Sequence, residues 1–467
     1  MKMWSGRFRQ PLDPDFERWQ RSFEFDRRLL RYEVAASGAH ARALKNAGVL
    51  SADELINILQ GLEQISERAA TPASFLDDAE AEDVHHFVEK QLAALIGDVG
   101  YKLHSGRSRN EQIATDLRLY VRAVIDQLRQ ELSELCGVFV DRAERAGEAA
   151  MPAYTHLQRA EPVLVGHWLL AYVEMFLRDA DRLADCRKRL NVCPLGSGAV
   201  AGATLSLDRA FMAETLGFDG PTANSVDATS DRDFVLEFVS ALSLLASHLS
   251  RWAEEMILFS SQEYAFLELP EAYSTGSSAM PQKKNPDLLE LVRGKSGRVI
   301  GDATALMITV KGLPLAYNKD LQETQEPLFE AADALLQMLP LITGWMKVVE
   351  FHFDTMQQAA QGGFMNAWSA ATYLVKRGVP SRLAHERIGK AVQLCLERGC
   401  ALHHLPLKDL QSLSPEFGKD FFESLTLQSV LAVHDVIGGT APTRVRQAMG
   451  AARKKLESLR EEVHAHA

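Results

Sequence analysis

Apolar residues recur at helical spacing along almost the whole chain. In one segment the steps between them alternate between four and three residues: Phe234, Phe238, Leu242, Leu245, Leu249, Trp252, Met256 and Phe259. This spacing aligns the side chains along one face of a long helix that packs against equally long partners. The same pattern recurs at Ile113, Leu117, Val121, Val124, Leu128, Leu132 and Leu135. Since no run of alternating β-branched residues bounded by turn pairs stands out, the sequence predicts an all-α fold.

Five long helices are predicted, because less regular runs over residues 163–190, 286–310 and 322–344 join these two. Five such helices favour a bundle. Shorter helices flank them, one beginning with a capping box at Ser51 and Glu54 and another near Thr443 after Pro442. We therefore expect an N-terminal helical domain (residues 1–106), a central long-helix bundle domain (107–358) that carries a loop at 270–286, and a C-terminal helical domain (359–467).

The composition is that of a globular protein, and it narrows the possible partners. A chain of 467 residues with 46% hydrophobic content can bury a large core. Its net charge of −11 supplies no basic field for nucleic acid or an anionic membrane surface. The N-terminus lacks an apolar signal segment, and the most apolar later stretch, residues 335–346, contains Pro340 and is too short to span a bilayer. We expect no nucleic acid and no membrane as partner.

The cysteines bear on the compartment and on metal binding. Five cysteines are an odd number, and none of them forms a Cys-x-x-Cys pair. This pattern argues against a disulfide framework and against a zinc site. It fits a cytoplasmic protein.

One loop combines backbone freedom with charge, and it is the most informative segment of the chain. Residues 276–286 read Gly-Ser-Ser-Ala-Met-Pro-Gln-Lys-Lys-Asn-Pro. Pro286 suits the first position of a helix and Asn285 the N-cap, so the loop would end at the positive end of a helix dipole, where an anion is stabilised. Ser277 could lose a proton more easily there. For an arbitrary loop of this composition, a solvated segment with ordinary capping is the more frequent explanation.

The whole string resembles the signature of the fumarase/aspartase superfamily, Ser-Ser-x-Met-Pro-x-Lys-x-Asn-Pro. Members of this superfamily eliminate fumarate from succinyl substrates. Gln282 and Lys284 make the string similar to the argininosuccinate lyase family in particular. The resemblance begins at residues 4–8 and weakens in the C-terminal hundred residues. It implies a central long-helix bundle with two smaller helical end domains, no metal and no organic cofactor, and cleavage of argininosuccinate into arginine and fumarate by proton abstraction next to a carboxylate.

The same resemblance implies a catalytic set. Ser277 would take the proton, and Lys283 and Asn285 would stabilise the negative charge that develops. His156 lies in Tyr-Thr-His-Leu-Gln-Arg-Ala-Glu-Pro (154–162), which resembles the second conserved region of the family. There His156 would sit beside the reacting centre and pair with Glu290, although a lone histidine in a loop is more often structural.

A second set would bind the substrate, by resemblance alone. Its members are Ser22, Asp83, His85, Ser108, Arg109, Asn110, Thr155, Tyr317, Lys319 and Gln322. Tyr317 and Gln322 are expected on the arginine half of the substrate and Lys319 close to a carboxylate. Gln325 departs from the lysine that is usual in the family, which puts one substrate contact in question.

Three of these features have simpler explanations. The arginines around Ser108 could form a solvated helix terminus. His85 and His86 could be taken for a metal site, but adjacent helical residues point about 100° apart and are poor joint ligands, so we expect no metal. Residues 196–201, Gly-Ser-Gly-Ala-Val-Ala, fit a dinucleotide-binding fingerprint, but no predicted strand precedes them and we expect a packing loop.

The resemblance also implies an assembly. In this family three subunits of a homotetramer contribute the regions that form one site. Two alternatives stay open at this point: another fumarate-releasing lyase, such as adenylosuccinate lyase, and a non-catalytic structural protein of the δ-crystallin kind.

Overall fold

The computed structural model describes residues 10–70, 73–78 and 80–466, and most of them are helical. Residues 4–8, where the family resemblance begins, lie outside this part. The α-helices are α1 (Pro14–Trp19), α2 (Phe23–Asp26), α3 (Leu30–Asn46), α4 (Ala52–Ala70), α5 (Val84–Ile96), α6 (Arg109–Ala146), α7 (Val165–Leu190), α8 (Arg209–Thr215), α9 (Ser225–Ser230), α10 (Asp233–Ser260), α11 (Asp287–Val310), α12 (Gln325–Val348), α13 (Phe353–Ala360), α14 (Ala367–Lys376), α15 (Ser381–Arg398), α16 (Leu407–Leu413), α17 (Leu427–Ala432) and α18 (Pro442–His466).

Shorter elements connect these helices. The 3-10 helices cover Arg27–Leu29, Ala73–Leu76, Gly97–His104, Glu271–Tyr273, Lys319–Thr324, Leu402–His404 and Lys419–Leu425. The strands are β1 (Ala150–Thr155), β2 (Gln158–Leu164), β3 (Val192–Cys193), β4 (Gly220–Pro221), β5 (Leu267–Glu268), β6 (Thr275–Gly276), β7 (Lys284–Asn285) and β8 (Glu350–Phe351). They form two-stranded pairs only: β1 with β2, β3 with β4, β5 with β8, and β6 with β7.

The five predicted long helices are present as α6, α7, α10, α11 and α12. The predicted capping box also forms, because the amide of Ser51 donates to Glu54 Oε2 at 3.0 Å and the amide of Glu54 donates to Ser51 Oγ at 3.1 Å. The last helix begins at Pro442, as the sequence indicated. The prediction of a mostly helical fold is confirmed.

A β-hairpin is the main departure from the helical pattern. Strands β1 and β2 pair antiparallel, with Thr155 opposite Gln158 and Pro152 opposite Pro162. Proline has no amide proton to donate to a sheet, and it weakens the sequence signal for a strand. The sequence therefore indicated only a break between helices here.

The chain divides into two compact units. The first comprises residues 1–127, 181–244 and 297–335, and the second comprises 128–180, 245–296 and 336–467. Each of the five long helices contributes one segment to each unit. This division gives no test of the three predicted domains, whose boundaries stay a prediction.

Aromatic contacts and apolar burial build the core of each unit. In the first unit, the rings of Phe23 and Phe87 stack at 4.8 Å between centroids, and Tyr120 meets Phe329 edge-on at 5.1 Å. In the second unit, Trp252 and Trp345 meet edge-on at 5.3 Å. Burial of such side chains is the largest stabilising contribution to a fold of this kind.

One helix, α10, is long and apolar enough to cross a membrane by length and composition. It was not the stretch that the sequence indicated as most apolar. Its side chains Phe238, Leu242 and Trp252 are fully buried in the protein. Since the core helix of a soluble protein passes the same test, α10 gives weak support for a membrane span.

Candidate active site

The loop that contains Ser277 is a short hairpin, which we call the lid (residues 275–285). Strand β6 pairs with β7, and this pairing closes the loop between them. The half-buried Ser277 hydroxyl oxygen accepts hydrogen bonds from the amides of Ala279 at 3.3 Å and Met280 at 3.1 Å. Two backbone donors therefore already face the oxygen that the sequence nominates as the base.

The two lysines of the lid differ in their contacts. Lys284 Nζ pairs with the Glu268 carboxylate and donates to the carbonyl oxygen of Leu269 at 3.1 Å. Lys283 is exposed and forms no ion pair within the described residues. The charge of Lys283 is thus available to a ligand, whereas Lys284 holds the lid to its own chain.

Asn285 is not the N-cap of α11, so that part of the sequence prediction is wrong. The carbonyl oxygen of Pro286 accepts from the Glu290 amide at 3.1 Å, and α11 begins at Asp287. Asn285 lies in β7 opposite Thr275, which keeps its backbone extended. The start of the helix is tied to the lid by Asp287, whose carboxylate accepts from the amide and hydroxyl of Thr275 at 2.9 and 2.7 Å.

His156 and Thr155 lie at the tip of the β1–β2 hairpin and are exposed. Among the described residues, His156 makes no hydrogen bond and no ion pair. Glu290 is also exposed, and its described partner is Arg293 at 3.9 Å. The predicted pair of His156 with Glu290 is therefore not formed within one chain.

Ser22 and Asp83, two predicted binding residues, meet through a carboxylate that the sequence did not single out. The Ser22 hydroxyl donates to Asp26 Oδ2 at 2.6 Å, and the other oxygen of Asp26 accepts from the Val84 amide at 3.0 Å. Val84 begins α5, and Asp83 caps that helix by accepting from the His86 amide at 2.7 Å. Burial and the neighbouring Asp83 raise the pKa of Asp26 to about 7.

Arg109 and Gln322 join the same region. Arg109 Nη1 lies 3.0 Å from Asp83 Oδ2 and 3.1 Å from Glu82 Oε2. Gln322 Nε2 donates to the Gln20 carbonyl oxygen at 3.2 Å, and Gln20 in turn donates to Glu82 at 3.3 Å. The first unit thus brings together Ser22, Asp83, Arg109 and Gln322, which come from four separate stretches of the chain.

The start of α6 is fixed by Glu111. Its carboxylate accepts from the Ser108 amide at 3.0 Å and from the Gly198 amide at 2.9 Å. Asn110 Nδ2 donates to the carbonyl oxygen of Ala199 at 3.2 Å. The glycine-rich segment 196–201 therefore packs against the N-terminus of α6, as predicted, and it does not open a nucleotide-binding helix, since α8 begins only at Arg209.

Gly198 shows why this contact needs glycine. Its φ is +61°, and an added Cβ would lie 2.8 Å from the carbonyl oxygen of Gly202. The tight loop brings its amide within reach of Glu111.

His85 is buried and faces a carboxylate rather than an open cleft. Its Nδ1 lies 2.8 Å from Glu33 Oε2 and 3.7 Å from Asp116 Oδ2. Glu33 also accepts from Ser37 at 2.6 Å and from Gln112 at 3.0 Å. In this structure the side chain of His85 is engaged in the core of the first unit.

Glu33, His85 and Asp116 could in principle hold a metal ion, since their ligand atoms lie within 4.8 Å of one another. Glu33, however, already accepts several hydrogen bonds, and an ion would displace the His85 proton that it accepts. Burial and the Glu33 carboxylate raise the pKa of Asp116 well above its ordinary value. The donor set fits a proton-linked network better than a metal site.

Arg107 connects this network to the segment before α6. Its guanidinium lies 3.7 Å from Glu33 Oε1 and donates to the Ser37 hydroxyl at 2.8 Å. Burial would raise the pKa of Glu33, but Arg107 and His85 lower it to about 2. His40 Nε2 bonds to the carbonyl oxygen of Ser105 at 3.0 Å, which adds a second anchor.

The sequence did not single out Asp26, Glu33 or Asp116. The available signal was a polar residue on an apolar face: Glu33 and Ser37 stand four residues apart among the buried positions Tyr32, Ala36 and Leu44. Such a pair on the inner face of a helix indicates a buried polar network.

Tyr317 and Lys319 lie in the segment before α12. Tyr317 is half-buried, and burial raises its pKa while the nearby Arg232 guanidinium opposes the shift. Lys319 is exposed. Gln325, at the unusual position, is 3% exposed, and its side-chain oxygen finds no hydrogen-bond partner among the described residues.

Comparisons with known proteins bear on the whole chain. A lyase family model matches residues 6–301, and a model described as the C-terminal part of argininosuccinate lyase matches residues 364–432. The chain is 59% identical over 467 residues to the argininosuccinate lyase of Koribacter versatilis (strain Ellin345), and the match covers all of both chains. It is 49% identical over 456 residues to that of Pelotomaculum thermopropionicum, covering 97% of this chain and 99% of the relative.

Solved structures give the same fold. A variant of EDDS lyase with bound fumarate superposes with a TM-score of 0.85 at 27% identity, covering 98% of this chain and 93% of that one. A class II fumarase from Schistosoma mansoni superposes with a TM-score of 0.71 at 16% identity, covering 85% and 89%. The predicted fumarase/aspartase-like fold is confirmed.

Proposed function

The chain belongs to the argininosuccinate lyase family, and from this premise we propose how its residues divide the work of the reaction. The protein is a carbon–nitrogen lyase that cleaves argininosuccinate into arginine and fumarate, a step of arginine biosynthesis. A proton leaves the carbon next to a carboxylate, the carbon–nitrogen bond breaks, and a carbon–carbon double bond forms. The site must therefore stabilise a dianionic carboxylate and protonate the departing nitrogen.

Ser277 is the proposed base. The observation that carries this assignment is the pair of amides, from Ala279 and Met280, that donate to its oxygen at 3.3 and 3.1 Å. Backbone donors fixed on an oxygen favour its deprotonated form, as in an oxyanion hole. This support comes from the lid itself.

Lys283 and Asn285 are the proposed partners of the negative charge on the substrate. Lys283 is exposed and uncommitted within the described residues, and the Asn285 amide group lies 3.4 Å from the carbonyl oxygen of Gly276. A cation and an amide donor on one lid can both contact a carboxylate whose charge grows during the reaction.

His156 and Glu290 are the proposed pair that assists protonation of the leaving group. A histidine held by a carboxylate is suited to proton transfer near neutral pH. Within one chain neither residue contacts the other, so we place the His156 of one subunit beside the Glu290 of another.

The remaining predicted residues are assigned to substrate binding. Ser108, Arg109, Asn110 and Thr155 would contact the succinyl carboxylates, and Tyr317, Lys319 and Gln322 the arginine half, with Ser22 and Asp83 beside them. The convergence of Ser22, Asp83, Arg109 and Gln322 in the first unit supports this grouping. His85 is better assigned to holding α5 through Glu33, because its side chain is buried.

We propose a cytoplasmic homotetramer in which three subunits form each site. The exposed apolar side chains of α11 support an assembly, since Leu291, Ile300, Met307 and Ile308 are each 45–59% exposed in the single chain. Light scattering should give the mass of four chains, and an active monomer would refute the shared site.

A serine pair tests the assignment of the base. We expect Ser277→Ala to lower kcat by about 10³-fold, because the general base is lost, while KM changes little. The matched control is Ser278→Ala, which should stay within a few-fold of the wild type. The readout is fumarate release from argininosuccinate, followed by ultraviolet absorbance. Near-normal turnover by a folded Ser277→Ala protein would exclude this serine as the base.

A further inference from the structure

The turn at the tip of the β1–β2 hairpin adopts a backbone conformation that its residues disfavour. Thr155 pairs with Gln158, so His156 and Leu157 form a two-residue turn, and their φ angles are +54° and +58°. Such turns favour asparagine and glycine, because both central residues need positive φ. In leucine the Cβ atom then approaches the following carbonyl oxygen, which is sterically unfavourable.

Nothing in the described part of the chain offsets this strain at Leu157. Its side chain is 65% exposed. Phe364 offers the contrast, because it also has a positive φ, +58°, but its ring packs against the core cluster of the C-terminal region. A strained apolar residue that packs is stabilised by its contacts, and Leu157 lacks such contacts in the single chain.

The hairpin below the turn is well held. The ring of Tyr154 lies 5.6 Å from that of Tyr264, and Arg159 Nη1 donates to the carbonyl oxygen of Ala359 at 3.2 Å. The strain is therefore confined to a fixed position next to His156.

Two occupants could cover Leu157: the substrate or another protein chain. Argininosuccinate carries carboxylates, an amino group and a guanidinium group, which prefer polar partners. A second copy of the chain offers the exposed apolar residues of α11, and α11 also carries Glu290, the proposed partner of His156. The observations favour the second copy.

We propose that Leu157 packs against a second copy of this chain and that this contact maintains the strained turn that positions His156. The inference rests on the proposed function, both for the reaction and for the assembly. Leu157 is a positioning residue in this scheme, because it acts on the reaction through its neighbour.

Substitutions that relax the turn give opposite expectations for the two possible roles. Leu157→Asn and Leu157→Gly suit positive φ and remove the apolar side chain. If Leu157 acted only within its own chain, both variants would assemble and react at least as well as the wild type. We instead expect the concentration at half-dissociation of the tetramer to rise at least 10-fold, and kcat/KM to fall at least 10-fold at low protein concentration.

Two further variants serve as controls. Leu157→Met keeps an apolar side chain and should restore both values to within a few-fold of the wild type. Leu396→Asn removes another exposed leucine, 67% exposed on α15, and should change neither value. Dissociation is followed by light scattering over a dilution series, and kcat/KM by fumarate release.

The outcomes separate this inference from the proposed function. Wild-type dissociation and kcat/KM in the Asn and Gly variants would overturn the contact. Lost activity with unchanged dissociation would assign Leu157 to the substrate and would also overturn it. A wild-type tetramer that does not cleave argininosuccinate would overturn the proposed function alone, because the dissociation measurement still decides the role of Leu157.

Discussion

At the residue scale, the lid places two lysines side by side in different surroundings. Lys284 is held by Glu268 and the carbonyl oxygen of Leu269, whereas Lys283 is free to meet a ligand. We expect Lys283→Gln to lower kcat/KM by about 10²-fold or more, as the loss of one donor to a developing oxyanion does. Lys284→Gln is the matched control and should lower it only a few-fold.

Steady-state kinetics with argininosuccinate would measure the effect of both lysine variants. The account assigns the larger loss to Lys283. A larger loss at Lys284, with both proteins folded, would mean that lid closure matters more than the charge on Lys283.

The residues of the lid could be proposed from the sequence because they lie in one contiguous string. The convergence of Ser22, Asp83 and Gln322 could not, since it depends on contacts between residues far apart in the chain, such as Gln322 with Gln20. Asp26, Glu33 and Asp116 escaped notice for a related reason: a carboxylate looks the same in a sequence whether it is exposed or buried.

At the element scale, the 3-10 segment before α6 is anchored to α3 by a buried histidine. His40 bonds to the carbonyl oxygen of Ser105 at 3.0 Å, and burial lowers its pKa to about 3. Its folded pKa therefore lies below the ordinary value of about 6.5. The neutral form stabilises the fold above pH 6.5, and this stabilisation is lost as the pH falls from 6.5 towards 3.

A variant of His40 should therefore change the pH dependence of stability. His40→Gln keeps a donor for Ser105 but cannot take up a proton. Relative to the wild type at the same pH, we expect it to gain about 2 kcal/mol of unfolding free energy between pH 7 and pH 5. Denaturant unfolding at the two pH values measures this gain. His464→Gln, at an exposed position in α18, is the control, and an equal gain there would contradict the account.

The helices were predictable because their signals are local. The apolar spacing indicated all five long helices, and the pair Ser51 and Glu54 marked the start of α4. The β1–β2 hairpin was missed because Pro152, Pro162 and the His-Leu turn hide the usual strand and turn signals. The cap of α11 was placed one residue early because Asn285 pairs with Thr275 instead.

At the scale of the whole molecule, the proposed residues fall into two groups. Ser22, Asp83, Arg109 and Gln322 belong to the first unit, and His156, Ser277 and Glu290 belong to the second. His156 lies exposed without a described partner, which is what a residue completed by another subunit would show in a single chain. A sequence carries no direct signal for such an arrangement, and here it came only through the family resemblance.

The most direct test of the account is fumarate release by the purified wild-type protein, with adenylosuccinate as the parallel substrate. The account predicts a rise in ultraviolet absorbance with argininosuccinate and none with adenylosuccinate. Fumarate from adenylosuccinate instead would assign the chain to another lyase reaction. Silence with both substrates, from an intact tetramer, would contradict the catalytic account and favour a structural role.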